Sequence, residues 1–170
     1  MDTTAALASC APVPEATQTP GLAFVAATAQ DAEALVALRI AAMRESLERI
    51  GRFDPTRARE RFLAGFAPER TQHIALDGVH VGFFVVKPDG GTGLLLDHLY
   101  LQPAHQGKGI GAAVLAHVFA QADATGQALR VGALRGSDSN RFYLRHGFVL
   151  VEQGEFDNYY MRAAALAAAG

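Results

Sequence analysis

Three glycines at every second position, Gly107, Gly109 and Gly111, stand between an apolar stretch and a run with helical periodicity. Residues 94–122 read LLLDHLYLQPAHQGKGIGAAVLAHVFAQA. A strand feeding a glycine-rich loop that opens a helix is suited to holding phosphate. The first N–H groups of a helix have no partner inside it, and the helix dipole adds partial positive charge there. Glycine lets an anion approach those groups because no Cβ stands in the way. A phosphorylated ligand is therefore expected at residues 107–111.

Three kinds of phosphate loop compete for these residues. A P-loop requires G-x-x-x-x-G-K-[ST], and here Gly109 follows Lys108 with no Ser or Thr in place. The dinucleotide pattern G-x-G-x-x-[G/A] is met at Gly107, Gly109 and Ala112. Its context is wrong: residues 102–106 separate strand from glycines, three strands are expected upstream, and the next strand, LRVGAL, lacks the acid that binds a ribose. The third pattern is Gln-x-x-Gly-x-Gly, which here begins at Gln106 and includes Lys108 and Ile110. Further along, Tyr143 to Phe148 reads Tyr-Leu-Arg-His-Gly-Phe. Asp97 and His98 are the polar pair of the strand before the loop. Simple alternation puts Asp97 with Leu99 and Leu101 on one face, and His98 with Tyr100 on the other.

The elements that must position these groups follow from local signals. Residues 22–27 read as a strand, and Thr28 with Asp31 as a helix start. Leu35, Leu38, Ala42, Met43, Leu47 and Ile50 then mark one helix face, closed by Gly51. Asp54-Pro55 caps a second helix reaching about Phe66. Strands 72–76 and 79–87 flank Asp77-Gly78, a strong hairpin signal. Strand 94–101 and the glycine loop lead to a helix ending at Gly126, then a strand at 128–134. Ser137 or Asp138 caps a short helix that ends at Gly147, and strands 148–151 and 156–161 form a last hairpin. The order is β-αα-βββ-α-β-α-ββ, an α/β (α+β) fold with a mixed sheet of about seven strands flanked by four helices. Residues 21–163 are expected to form one domain, with a disordered tail at 1–20 and a fraying end at 164–170.

Composition narrows the function classes. The 170 residues carry a net charge of −2, half are hydrophobic and 19% are charged, so no general nucleic-acid surface is expected. No apolar run approaches the ~20 residues of a membrane span. One cysteine, Cys10, gives no disulfide framework, which suits a reducing, cytoplasmic setting. The six histidines show no metal-ligand spacing, and no metal is expected.

The glycine motif after its strand and proline, and the Tyr-x-x-x-Gly-Phe motif after the next strand, together resemble the GNAT superfamily of N-acetyltransferases. The element order is similar as well, and the resemblance spans roughly 22–161. It implies direct transfer of the acetyl group of acetyl-CoA to an amine of a small molecule or a protein. A non-catalytic acyl-CoA-binding module of the same fold is the alternative. The resemblance places the pyrophosphate on Gln106, Gly107, Lys108, Gly109, Ile110 and Gly111, and the pantetheine arm along Leu99, Tyr100 and Leu101. It implies a bulge at that end of the strand, a backbone N–H near Leu101 as oxyanion donor, and Tyr143 as general acid. Asp97 or His98 is the candidate base, Asp97 preferred. Relatives carry a cofactor-contacting asparagine earlier, where this chain has Gly136 and Ser137; Asn140 is either its substitute or a residue that stabilises the start of the helix. The acceptor is not readable, although Arg52 or Arg57 would suit an anionic group on it. A homodimer is among the assemblies the resemblance allows.

Overall fold

The computed structural model describes residues 19–165. Its helices and strands run β1 (Leu22–Ala26), α1 (Ala32–Arg49), α2 (Pro55–Gly65), β2 (Thr71–Leu76), β3 (Val79–Pro88), β4 (Leu94–Leu101), α3 (Ile110–Ala124), β5 (Leu129–Leu134), α4 (Ser139–Arg145), β6 (Val149–Gln153) and β7 (Asp157–Arg162). The expected tails, 1–20 and 164–170, fall almost wholly outside the described residues. The strands form one seven-stranded sheet in the order β1-β2-β3-β4-β5-β7-β6, with β4 at its centre. Only β4 and β5 pair in parallel, joined by the α3 crossover.

Local chemistry explains most element ends. Thr28 and Asp31 form the reciprocal capping box, and Asp54 Oδ1 accepts from the Arg57 N–H at 3.1 Å. Asp77 and Gly78 both take positive φ, 50° and 81°, as a tight two-residue hairpin requires. The last hairpin sits one residue later than expected: β7 is Asp157–Arg162, and Phe156 belongs to the turn, where its carbonyl accepts from the Arg135 N–H.

Two cores sit on the two faces of the sheet. One gathers α3 (Val114, Leu115, Val118), Tyr143 of α4 and the strand residues Phe84, Leu96 and Val131. The other joins Leu35 and Val36 of α1 and Phe62 of α2 to Phe83 and Val85 of β3. Val36 rather than Leu38 is the buried neighbour of Leu35, so the buried row of α1 lies slightly round from the expected one.

Candidate active site

The parallel pairing of β4 with β5 covers only Leu94 to Leu96 opposite Leu129 to Val131. Beyond that, β5 turns its pairing to β7 alone, and the rest of β4 stays with β3. A wedge therefore opens between residues 98–101 and 132–134. Its apex coincides with a bulge: Val86 faces Leu96 and Val85 faces His98, which leaves Asp97 as the extra residue. The expected bulge thus lies earlier in β4, at Asp97.

The bulge also corrects the assignment of faces. Leu96, Leu99 and Leu101 pack in the α3 core, while Tyr100 packs in the α1–α2 core. The inserted residue breaks the alternation and brings Asp97 and His98 to one face. They line one pocket with Phe62, Phe66 and Lys87, and His98 Nε2 lies 3.6 Å from Asp97 Oδ2. Lys87 Nζ pairs with the same carboxylate oxygen at 2.9 Å. Burial pushes His98 down to about 4, helped by the charges of Arg39 and Lys87 and opposed by Asp97, so its imidazole is neutral near pH 7.

The wedge exposes a backbone edge. The Gln102 N–H donates to the Val81 carbonyl across β3 at 2.8 Å. Since N–H direction alternates along a strand, Tyr100 also faces β3, and Leu99 and Leu101 turn their N–H groups into the wedge. Gln106 closes the far end: its Nε2 donates to the Leu101 carbonyl at 3.1 Å and clips the glycine loop to the strand.

At the start of α3, Gly107 and Gly109 take φ of 72° and 82°, and the Gly109 cap offers no side chain. The first helical N–H to find a helix acceptor is that of Ala113, on the Gly109 carbonyl. Residues 106–109 are exposed, Lys108 among them. Gly111 has a different reason to be glycine, because a Cβ there would come within 3.1 Å of the Phe142 ring of α4.

Tyr143 is 5% exposed and wedged edge-on against Phe148, with Tyr160 beyond. Its hydroxyl has no hydrogen-bond partner among the described residues. Burial, with a contribution from Tyr100, pushes its ionisation well above the ordinary phenol range. Tyr143 therefore keeps its proton at any ordinary pH.

Asn140 does not have the capacity expected of a ligand-contacting amide. Its Nδ2 donates to the carbonyls of Leu134 and Ser137, both at 2.9 Å. Its Oδ1 accepts from Asn158 Nδ2 at 2.9 Å and from the Tyr160 hydroxyl at 2.7 Å. Two donors and two lone pairs are all that a primary amide offers, and all are used inside the protein. Asn140 ties α4 to β5 and β7. Ser137 turns its hydroxyl back to Leu134 and does not cap α4.

Two of the arginines near α2 are engaged as well, while Arg57 is exposed and in no ion pair among the described residues. Arg52 stacks on Phe156 at 3.5 Å, and Arg59 pairs with Glu33 of α1. The residue the sequence reading missed is Arg39 of α1, whose guanidinium carbon lies 5.8 Å from the centre of the Tyr100 ring. Its signal was available: a charged residue four positions after Leu35 and three after Val36 shares their inward row.

Among the described residues, no group of three or more His, Cys, Asp or Glu side chains is placed to hold a metal, and no helix is long and apolar enough to cross a membrane.

Residues 68–150 match the family model for an acetyltransferase (GNAT) domain. Among solved structures, the chain is similar to the PaiA N-acetyltransferase of Thermoplasma acidophilum, crystallised in complex with coenzyme A. The TM-score is 0.69 at 16% identity, covering 84% of this chain and 98% of that one. An acetyltransferase from Thermus thermophilus gives a TM-score of 0.66 at 20% identity, covering 84% and 96%. A search of curated protein sequences found no match.

Proposed function

Because residues 68–150 belong to the GNAT acetyltransferase family and the chain has the fold of its acetyltransferase neighbours, we propose that it is an N-acetyltransferase. It would move the acetyl group of acetyl-CoA directly onto an amine of a small molecule or protein, in a ternary complex, with residues 21–163 as the catalytic domain. The observation that carries this reading is the wedge opening at Asp97 beside the uncapped start of α3.

The residues present fit the cofactor. A pyrophosphate needs several N–H donors without side chains over them, and residues 107–111 offer these at a helix start. A pantetheine arm carries amides that pair like a short strand, and the free edge at Leu99 and Leu101 is a strand edge without a partner. Acetyl-CoA supplies an activated thioester carbonyl when bound.

Each group of the chain then has a defined task. The Leu101 N–H, turned into the wedge, is a backbone donor for a developing oxyanion; loss of one such donor costs roughly 3–4 kcal/mol where it has been measured. Tyr143 Oη carries its proton at ordinary pH and is the donor for the departing sulfur; because burial makes it a weaker acid, that role rests on the sulfur lying within hydrogen-bond reach of Oη. Asp97 draws an ammonium to the pocket and receives its proton, directly or through water. His98, held at about 4 by burial, is a poorer base than an ordinary imidazole and serves as a neutral neighbour. No acyl-enzyme step is required, in keeping with the absence of a nucleophile from these roles.

The test is a thermal shift followed by turnover. Acetyl-CoA should raise the melting temperature, NAD(P) should not, and an amine panel should release free CoA thiol. Stabilisation by NAD(P) alone would contradict the reading. CoA binding without turnover on any amine would favour a non-catalytic acyl-CoA-binding module.

A further inference from the structure

α1 presses Leu35 and Val36 into the core under the face of β4 that carries His98 and Tyr100. Arg39 stands one turn further along the same row, over Tyr100, in the splayed part of β4. Its Nε is buried and has no hydrogen-bond partner. Two other arginines of the same helix, Arg44 and Arg49, meet Glu48 and Glu45 on the exposed side. Among the described residues, no carboxylate lies within 4 Å of Arg39.

A partly buried cation without a counter-ion is costly to keep. Here it stands beside Tyr100, whose ring centre is 5.6 Å from that of His98, on the face where Asp97 and His98 line their pocket. Its charge is felt at both His98 and Tyr100, and the charges of Asp97 and Asp157 are felt at Tyr100 as well. This face thus holds a cation without a counter-ion, Arg39, engaged only by the Tyr100 side chain, with carboxylates whose charge reaches the same ring; Arg70, also in no ion pair among the described residues, lines the Asp97–His98 pocket. A ligand complementary to that pattern has a positive and a negative end.

Building on the acetyltransferase reading above, we propose that the acceptor is a small amine bearing a carboxylate, and that Arg39 is the specificity-determining residue that receives the carboxylate while Asp97 draws the ammonium. A single planar guanidinium fork matches the two oxygens of a carboxylate. A phosphate dianion would call for more positive charge close by; of the two cations that line the pocket, Lys87 is already committed to Asp97 at 2.9 Å and Arg70 is exposed to solvent.

The test compares acids with their own amides on the full chain. β-Alanine, 4-aminobutyrate and L-glutamate are each run against the corresponding carboxamide, with acetyl-CoA, following thiol release. Binding to the CoA-loaded protein is read in parallel by thermal shift. The best acid should exceed its amide by roughly 10- to 100-fold in kcat/KM, the scale of one charge-assisted hydrogen-bonded contact. In Arg39→Gln that ratio should collapse toward one, and Arg39→Lys should restore part of it. CoA-induced stabilisation of each variant shows that it has folded, and the wild-type ratio needs no variant at all. Amides as good as acids, acids that neither bind nor react, acetylation of peptides only, or a ratio that survives Arg39→Gln would each overturn the assignment while leaving the acetyltransferase reading intact. Failure of CoA to stabilise the wild-type chain would remove both.

Discussion

On the α3 side of the wedge the site is made of backbone, and on the α1–α2 side it is made of side chains. The first side consists of N–H groups at the start of α3 and along Leu99 and Leu101. The second consists of Asp97, His98, Lys87 and Arg39, contributed by β4, β3 and α1. Under the proposed function, the backbone donors would meet what every acyl-CoA shares, its phosphates and amides, and the side chains what differs from one acceptor to another. A chain can keep the first region and change its acceptor by altering the second.

That division can be broken by substitutions that ought to affect one side only. The largest effect is expected at Asp97→Asn. If Asp97 takes the amine proton, kcat/KM for the acceptor falls by roughly 100-fold or more, with acetyl-CoA affinity unchanged. A parallel loss of acetyl-CoA affinity, read by calorimetry, would show that the two sides are not separable. Gly109→Val attacks the other side. A Cβ at Gly109 meets nothing within 4 Å, so space is not the obstacle. The φ of 82° is, since a β-branched residue there carries about 1–3 kcal/mol of strain. Acetyl-CoA affinity should fall roughly 10- to 100-fold as the loop relaxes away from its donor geometry. Unchanged affinity would move the phosphate site off this loop.

Asn140→Ala sharpens the boundary. It leaves the Tyr160 hydroxyl and the Asn158 amide without their acceptor, while the Leu134 and Ser137 carbonyls keep other donors, so stability should drop by about 1–3 kcal/mol in a urea titration. The affinity for CoA should stay as it was; a loss would return Asn140 to the cofactor side. The smallest effect concerns His98. In the unfolded chain it titrates near 6.5, and in the fold burial holds it at about 4. As pH falls below 6.5 the unfolded state takes up the proton first, so the His98 contribution is whole above 6.5 and is lost toward 4. The slope of stability against pH in that window should flatten in His98→Gln.

The same contrast explains what the sequence revealed. The α3 side is written in contiguous residues: Gly107 and Gly109 mark the loop, and Asp77-Gly78 and Thr28 with Asp31 mark the turns that frame the sheet. Such features depend on φ and local capping, which a short stretch determines by itself. The acceptor side depends on events that no short stretch announces. The bulge at Asp97 carries no glycine, and it undoes the alternation that would part Asp97 from His98. Arg39 acquires its meaning from Tyr100, some sixty residues on, and from the lack of a carboxylate beside it. The two readings of Asn140, cofactor contact or support of the helix start, stayed open because its partners, Asn158 and Tyr160, lie on a strand that pairs only after folding.

The central claim is that the wedge holds acetyl-CoA while Tyr143 delivers a proton to the departing sulfur. Tyr143→Phe tests it most directly, because the ring that fills the core is retained and only the unpartnered hydroxyl is removed. Steady-state turnover and acetyl-CoA binding should be measured on the same preparation. The account predicts that kcat falls roughly 100-fold or more while acetyl-CoA affinity stays unchanged. An unchanged kcat would contradict it.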